Sequence, residues 1–254
     1  MAGLAQRRRV LAGLGALAAT WAMPTWADFP DVVAQIKNGV VAVGTFLPSR
    51  NPQFKFRGTG FVVGNGNLVA TNIHVVSDAL EENETLTVAL PGTGRVIGRA
   101  VVRQASDADH DLVLLRFDGP PLPALRLGDS GAVRDGQEVA ITGFPLGASL
   151  GLVPVTHRGI VSAVTPVGMP APSASQLDAR TVRRLAMGAY NVFQLDLVSY
   201  PGNSGSPLFD THSGEVVGIL NMVFVKGTKE SAVAMPTGIS YAIPTHYLKA
   251  LLVP

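Results

Sequence analysis

The chain contains no cysteine. Disulfide staples, thiolate metal sites and cysteine nucleophiles are therefore excluded at the outset. Charge is also scarce, at 15% of the 254 residues, which excludes a coiled coil or a charge-rich disordered tail. Turn-forming residues are plentiful instead. The 28 glycines and 18 prolines make up about 18% of the chain, against roughly 12% in average usage and roughly 25–30% in low-complexity sequence. With 47% hydrophobic residues, this composition describes a globular protein in which many turns join short apolar runs, an all-β pattern. The length allows one large domain or two small ones.

The formal net charge of +2 is the kind of excess that can attract nucleic acid or a membrane, but its location argues against both. Arg7, Arg8 and Arg9 form one run, and residues 10–27 follow without a charge. A basic start, an apolar stretch and the small-x-small end Thr25-Trp26-Ala27 describe a secretory signal over residues 1–27, with Asp28 as the mature N-terminus. Gly13, Gly15, Thr20 and Pro24 weaken the stretch as a membrane span, so stable insertion after cleavage is not expected. Gln6-Arg7-Arg8-Arg9-Val10-Leu11 resembles a bacterial twin-arginine export signal, and an ordinary Sec signal with an extra arginine fits nearly as well. Without residues 1–27 the formal +2 becomes −1. The expectation is a periplasmic or secreted protein with no nucleic-acid partner.

From residue 28 onward no fixed-period repeat is present. A short helix is expected over 31–37, where Val32, Val33 and Ile36 share a face. Strand-like runs follow at 40–46, 59–63, 68–71, 85–90, 96–102 and 112–117, separated by turn signals such as Asn65-Gly66-Asn67 and Pro91-Gly92. The proline-rich stretch 119–127 reads as a crossing between two units. A second set of runs occupies 138–143, 153–164, 192–197, 207–209, 216–225 and 239–243, and a helix over 245–252 closes the chain. Two sets of about six strands predict two small antiparallel barrels, the first over about 38–120 and the second over about 133–244. Segment 166–188, with an amphipathic helix expected near 176–187, reads as a long loop or insertion of the kind that often carries function.

Three short segments carry the chemistry. Pro201-Gly202-Asn203-Ser204-Gly205-Ser206-Pro207 places a serine near glycines at a tight turn. Such a turn can expose a hydroxyl and aim backbone N–H groups at one point, as a nucleophile beside an oxyanion hole requires. On this motif alone, an ordinary turn is an equally good reading. His74 lies just past a strand in Thr71-Asn72-Ile73-His74-Val75-Val76, where a lone histidine is most often structural. Asp111 opens the apolar run Asp111-Leu112-Val113-Leu114-Leu115, and could be a solvated turn residue.

Taken together, and in the order His, Asp, Ser, these segments resemble the chymotrypsin-fold serine proteases, most closely the bacterial HtrA/DegP branch. Leu127-Gly128-Asp129-Ser130, Gly143-Phe144-Pro145-Leu146-Gly147, Gly159-Ile160-Val161-Ser162 and Gly238-Ile239-Ser240-Tyr241-Ala242-Ile243-Pro244 extend the likeness over essentially all of the chain after residue 30. The resemblance implies two six-stranded barrels with the site in the cleft between them. It implies Ser204 as nucleophile, His74 as general base and then acid, and Asp111 as the group that orients the imidazole, ahead of Asp107 and Asp109. The N–H groups of Gly202 and Ser204 would form the oxyanion hole. Val198 would form the base of the substrate pocket, with Asn221 and Val223 on its walls, giving a shallow apolar pocket for Val, Ala, Leu or similar side chains. Protein or peptide substrates and a role in protein quality control are expectations from the same likeness. Relatives usually carry peptide-binding PDZ domains after the protease; ten residues follow Pro244, so the expectation is a protease domain without one. The oligomeric state is left open.

Gly128-Asp129-Ser130-Gly131 spells the tetrapeptide that digestive serine proteases carry at their nucleophile, but it precedes the second barrel and reads as a turn. His110, His157, His212 and His246 lack metal-ligand spacing, and no cofactor is expected. Arg180, Arg183 and Arg184 read as a solvated helix face. The alternative from another class is a protease-fold peptide-binding or chaperone-like protein with little turnover.

Overall fold

The computed structural model describes residues 28–90, 97–147, 151–166, 190–221 and 238–253. The expected export signal, the helix near 176–187 and Val223 lie outside them.

The first helix, α1 (Phe29–Asn38), begins where Asp28 Oδ1 accepts the N–H of Phe29. Pro30 in the first turn lacks an N–H that would have no helical partner there, and Asp31 complements the positive end of the helix dipole. Val32 and Ile36, one turn apart, form its buried stripe. The chain then enters β1 (Val40–Phe46), β2 (Phe54–Val63), β3 (Leu68–Asn72), β4 (Thr85–Leu90), β5 (Ile97–Asp107) and β6 (Leu112–Phe117). These close into an antiparallel barrel in the order β1-β2-β3-β6-β5-β4. Strands β7 (Glu138–Gly143), β8 (Val155–Pro166), β9 (Asn191–Asp196), β10 (Pro207–Asp210), β11 (Val216–Leu220) and β12 (Ile239–Pro244) close a second barrel in the order β10-β11-β12-β9-β8-β7. Helix α2 (Thr245–Leu252) ends the fold.

The two-barrel expectation therefore holds. Strand β5 runs five residues further than its apolar pattern predicts. Past Val102 it continues through Arg103, Gln104 and Ser106, which are exposed, and a bulge between Arg103 and Ala105 shifts its register against β6. A bulge breaks the strict alternation on which a sequence pattern depends.

Burial on both faces explains why β1 reads as a continuous apolar run. Val41 and Val43 point into the first barrel beside Val62, Val69, Val113 and Leu115. Val40 and Ala42 face the other way and join a separate apolar cluster between the barrels, with Phe61, Leu112, Leu114, Phe144, Phe209, Ile219, Ile243 and Leu248 of α2. A third cluster, including Ile141, Phe193, Leu195 and Leu208, fills the second barrel. Each large apolar side chain contributes roughly 1.5–3 kcal/mol on burial, so the seam is itself a core. The proline-rich connector lies on the first barrel through Leu125 N–H to the Val62 carbonyl (2.9 Å), then crosses to the second through Gly128 N–H to the Val216 carbonyl (2.8 Å).

Glu84 is the buried acid at the start of β4. It accepts the N–H of Glu81 at 2.9 Å and pairs with Arg50 at 2.7 Å. The Glu81 N–H first, then the Thr45 hydroxyl and Arg50, hold its carboxyl down at about 2 from an ordinary 4.5. A depressed carboxylate pKa stabilises the fold above the unfolded value and loses that contribution as pH falls from about 4.5 toward 2. Glu84→Gln is expected to lower stability at neutral pH by about 1.5–3 kcal/mol. It should also flatten the acid limb of a melting-temperature profile between those two pH values.

Candidate active site

Strand β3 ends at Asn72, and the chain tightens into a single 3-10 turn, Ile73–Val75. That turn is bound to the β5–β6 hairpin. Ile73 N–H and Asn72 Nδ2 both donate to the Asp111 carbonyl, at 3.1 and 3.2 Å. Asp111 has φ +56°, a left-handed conformation that aspartate enters more readily than most residues. Its carboxylate faces the same turn. Oδ1 accepts the His74 N–H at 3.1 Å, and Oδ2 lies 2.6 Å from His74 Nδ1. Oδ2 also accepts from Asn221 Nδ2 at 2.9 Å. The carboxylate is the acceptor in these bonds, so Nδ1 carries a ring proton, and in the neutral tautomer that this selects Nε2 is the acceptor.

The segment that follows is held from below. Arg57 pairs with Asp78, and Arg103 donates to the Val76 carbonyl. His74 is thus fixed through its backbone, its ring and the chain leaving it.

Ser204 lies in the loop between β9 and β10 and is 8% exposed. Asn203 N–H donates to Tyr200 O at 3.0 Å, Gly205 N–H to Leu220 O at 2.9 Å, and Ser206 N–H to Asn203 O at 3.0 Å. Gly202 and Ser204 N–H make no hydrogen bond among the described residues. Both donors expected for an oxyanion hole are thus unengaged by the described residues. Gly202 has φ +102°, and a side chain there would meet the Phe144 carbonyl at 2.4 Å; Gly205 has φ +85°, and its Cβ would lie 2.1 Å from Thr59 O. Both positions demand glycine.

This loop lies directly against the first barrel. Thr59 of β2 donates its N–H to Ser204 O at 2.9 Å and its hydroxyl to Gly202 O at 2.8 Å. A Cβ on Gly58 would be 2.8 Å from the Val75 side chain and 3.1 Å from Ser204 O. Strand β2 therefore separates the His74 turn from the serine loop by a single residue. Ser204 Oγ itself makes no hydrogen bond among the described residues.

Asn221, expected on a pocket wall, is 1% exposed, and its amide donates to Asp111 Oδ2. Val198 remains 39% exposed on the segment leaving β9. That segment is anchored by Leu197 N–H on Gly238 O (3.0 Å) and by Ser240 Oγ on Leu197 O (2.9 Å). Ser130 is a turn residue: its Oγ accepts the His246 N–H at 3.1 Å and lies 3.0 Å from His246 Nδ1 at the start of α2. Burial first, and then His110, lower the pKa of His246. Asp107 serves a second histidine, His110, at 2.6 Å, and the His110 ring stacks on Tyr247 of α2 at 3.7 Å. Among the described residues no group of three acidic or histidine side chains is placed to hold a metal ion.

The family model described as a trypsin-like peptidase domain matches residues 58–219, and the chain belongs to that family. A probable periplasmic serine endoprotease DegP-like of Pseudomonas putida strain W619 is 35% identical over 188 residues, covering 74% of this chain and 32% of that protein. A protein of the same description from Pseudomonas fluorescens is 33% identical over 223 residues, covering 87% of this chain and 40% of its own length. The chain thus spans well under half the length of these curated relatives. The solved structure of the HtrA-type protease AlgW with a decapeptide has a TM-score of 0.63 at 24% identity, over 89% of this chain and 66% of that one. The same protease with a tripeptide gives a TM-score of 0.62 at 24% identity, over 89% of this chain and 62% of that one. These structures share the two-barrel fold.

The geometry of the loop makes Gly205→Ala a direct test of how tightly it is held. The variant combines a left-handed alanine with a collision against Thr59 O. Urea unfolding is expected to show a loss of about 2–5 kcal/mol; unchanged stability would mean that the loop can leave Thr59 freely.

Proposed function

We propose that the chain is an exported serine endopeptidase domain that hydrolyses peptide bonds through an acyl-enzyme. The observation that carries this reading is the pairing of an imidazole oriented by a carboxylate with a serine loop in which the Gly202 and Ser204 N–H groups are engaged by no described residue. Ser204 Oγ attacks the substrate carbonyl carbon as His74 Nε2 takes its proton, and the carbonyl π pair moves to oxygen. The Gly202 and Ser204 N–H groups bind that oxyanion, and Asp111 stabilises the imidazolium. Collapse of the tetrahedral intermediate breaks the C–N bond, and the His74 proton goes to the leaving amine. Water then repeats the sequence on the ester, returning the proton to Ser204 Oγ.

Val198 supports a preference for small or medium apolar side chains before the cleaved bond, since it offers no charge to Lys, Arg or Glu. A periplasmic or secreted location is supported by the basic-apolar start of the sequence and by the naming of the relatives. Among the described residues, no helix is long and apolar enough to cross a membrane. Work on damaged or misfolded proteins, the quality-control role, is the wider context that the HtrA/DegP likeness supports.

One observation favours a second reading, a peptide-holding protein with little turnover: Ser204 Oγ is not hydrogen-bonded to His74. Catalytic hydrogen bonds are often long before substrate arrives, so the enzyme reading stands first. A fluorophosphonate probe separates the two. Labelling is expected on wild type and absent from Ser204→Ala, and Asp111→Asn should lose about 10⁴-fold in turnover. A folded wild type that neither labels nor cleaves would establish the second reading. Cleavage-site profiling on a peptide library is expected to show Val, Ala and Leu before the scissile bond; dominance of Lys, Arg or Glu there would overturn the pocket assignment.

A further inference from the structure

Thr59 has no part in the mechanism above, yet it holds two carbonyls of the serine loop from the opposite barrel. It is fully buried in β2, opposite Ala42 of β1. Its N–H is on Ser204 O (2.9 Å), and its carbonyl accepts the Thr71 hydroxyl (2.7 Å). Its Oγ1 accepts the Phe144 N–H at 3.1 Å and contacts Gly202 O at 2.8 Å. A hydroxyl has one proton to give. Because Phe144 N–H can only donate, the Thr59 proton must point at Gly202 O. The group is a fixed relay from the β7 exit to the loop.

Each of the four peptide units from Pro201 to Gly205 then has at least one end held, and the Gly202–Asn203 and Ser204–Gly205 units have both, since their N–H groups lie on Tyr200 O and Leu220 O. Pro201 O, in the unit that bears the Gly202 N–H, accepts Leu146 N–H at 2.8 Å; Asn203 O, in the unit that bears the Ser204 N–H, accepts Ser206 N–H at 3.0 Å. The unit between these two carries Gly202 O, and Thr59 Oγ1 is its anchor from the first barrel. The unit after them carries Ser204 O, on the Thr59 N–H. Rotation of the middle unit would disturb both donor N–H groups together, since neighbouring peptide planes share a Cα.

We propose that Thr59 is a positioning residue for the oxyanion-binding donors: its hydroxyl fixes the Gly202–Asn203 peptide so that the Gly202 and Ser204 N–H groups converge. This rests on the reading of those groups as an oxyanion hole. The role concerns the developing charge and not the bound substrate, so its loss should appear in kcat with little change in KM. Loss of an entire oxyanion donor costs roughly 10²–10³-fold, and misaiming both donors is expected to cost about 10–100-fold.

The experiment compares Thr59→Val, which keeps the shape and loses the hydroxyl, with Thr59→Ser, which keeps the hydroxyl, on a peptide substrate of the wild-type preference. Thr59→Val should lose about 10–100-fold in kcat, with KM within about threefold and a slowed rate of fluorophosphonate labelling. Thr59→Ser should stay within about threefold of wild type. If Thr59→Val does not fold, Thr59→Ala carries the same expectation. Wild-type kinetics in Thr59→Val would overturn the proposal. So would equal losses in the Ser and Val variants, a loss confined to KM, or failure of both the Val and Ala variants to fold, which would place the hydroxyl in the fold alone. An inactive wild type would instead remove the peptidase reading, so the two failures are distinguishable.

Discussion

The active arrangement depends on a few directional bonds across the seam between two barrels. The apolar cluster there, from Val40 and Phe61 on one side to Phe209 and Ile243 on the other, supplies adhesion. Hydrophobic contact is not directional and does not by itself set the barrels to the fraction of an ångström that chemistry needs. With no cysteine, the chain has no covalent tie to do so. Register comes from hydrogen bonds that cross in both directions. Asn221 of the second barrel donates to Asp111 of the first, and Thr59 of the first donates to Gly202 and Ser204 of the second.

The two halves of the site differ in what they need from this seam. The His74–Asp111 unit is almost entirely local to the first barrel, built from Asn72, Ile73, His74 and the hairpin that ends at Asp111. The serine loop is not. Its internal bonds to Tyr200 and Leu220 shape it, but the carbonyls of Gly202 and Ser204 find their partners on Thr59. The serine loop therefore draws on the opposite barrel for two of its carbonyl partners, whereas the His–Asp pair draws on it for the Asn221 bond alone among the described residues. Helix α2 adds a brace from the far side, since Tyr247 stacks on His110, the residue immediately before Asp111.

Much of this is legible in the sequence, and the unread parts share a cause. Largely apolar runs bounded by turn residues, such as 40–46 and 112–117, match the strands at both ends. The glycines around Ser204 announce a loop with positive φ, and His74 and Asp111 stand out through the apolar strands they adjoin. The bond from Asn221 to Asp111 is not legible because position in the chain does not say which way an amide turns. Thr59 is invisible for a related reason. A threonine between Gly58 and Gly60 in a strand is ordinary β-sheet composition, and its hydroxyl gains a role only when a loop 143 residues later in the chain is laid on it. Pattern reports the periodicity of one element; these two residues act between elements.

That distinction also explains why the described residues can contain two histidine–aspartate pairs of the same length and only one candidate centre for acyl transfer. His110 is 2.6 Å from Asp107, as His74 is from Asp111, and each aspartate also accepts its histidine's own backbone N–H. A carboxylate beside an imidazole is therefore a local turn motif that the fold produces twice. What separates them is the company. The His110 ring is packed by Tyr247 on its face and Tyr190 at 4.6 Å, and the nearby Ser130 hydroxyl is engaged with His246. His74 has beside it a loop from the other barrel, with a serine hydroxyl and two N–H groups that no described residue engages. The difference between the two pairs thus lies less in the oriented base than in the hydroxyl and N–H groups set beside one of them.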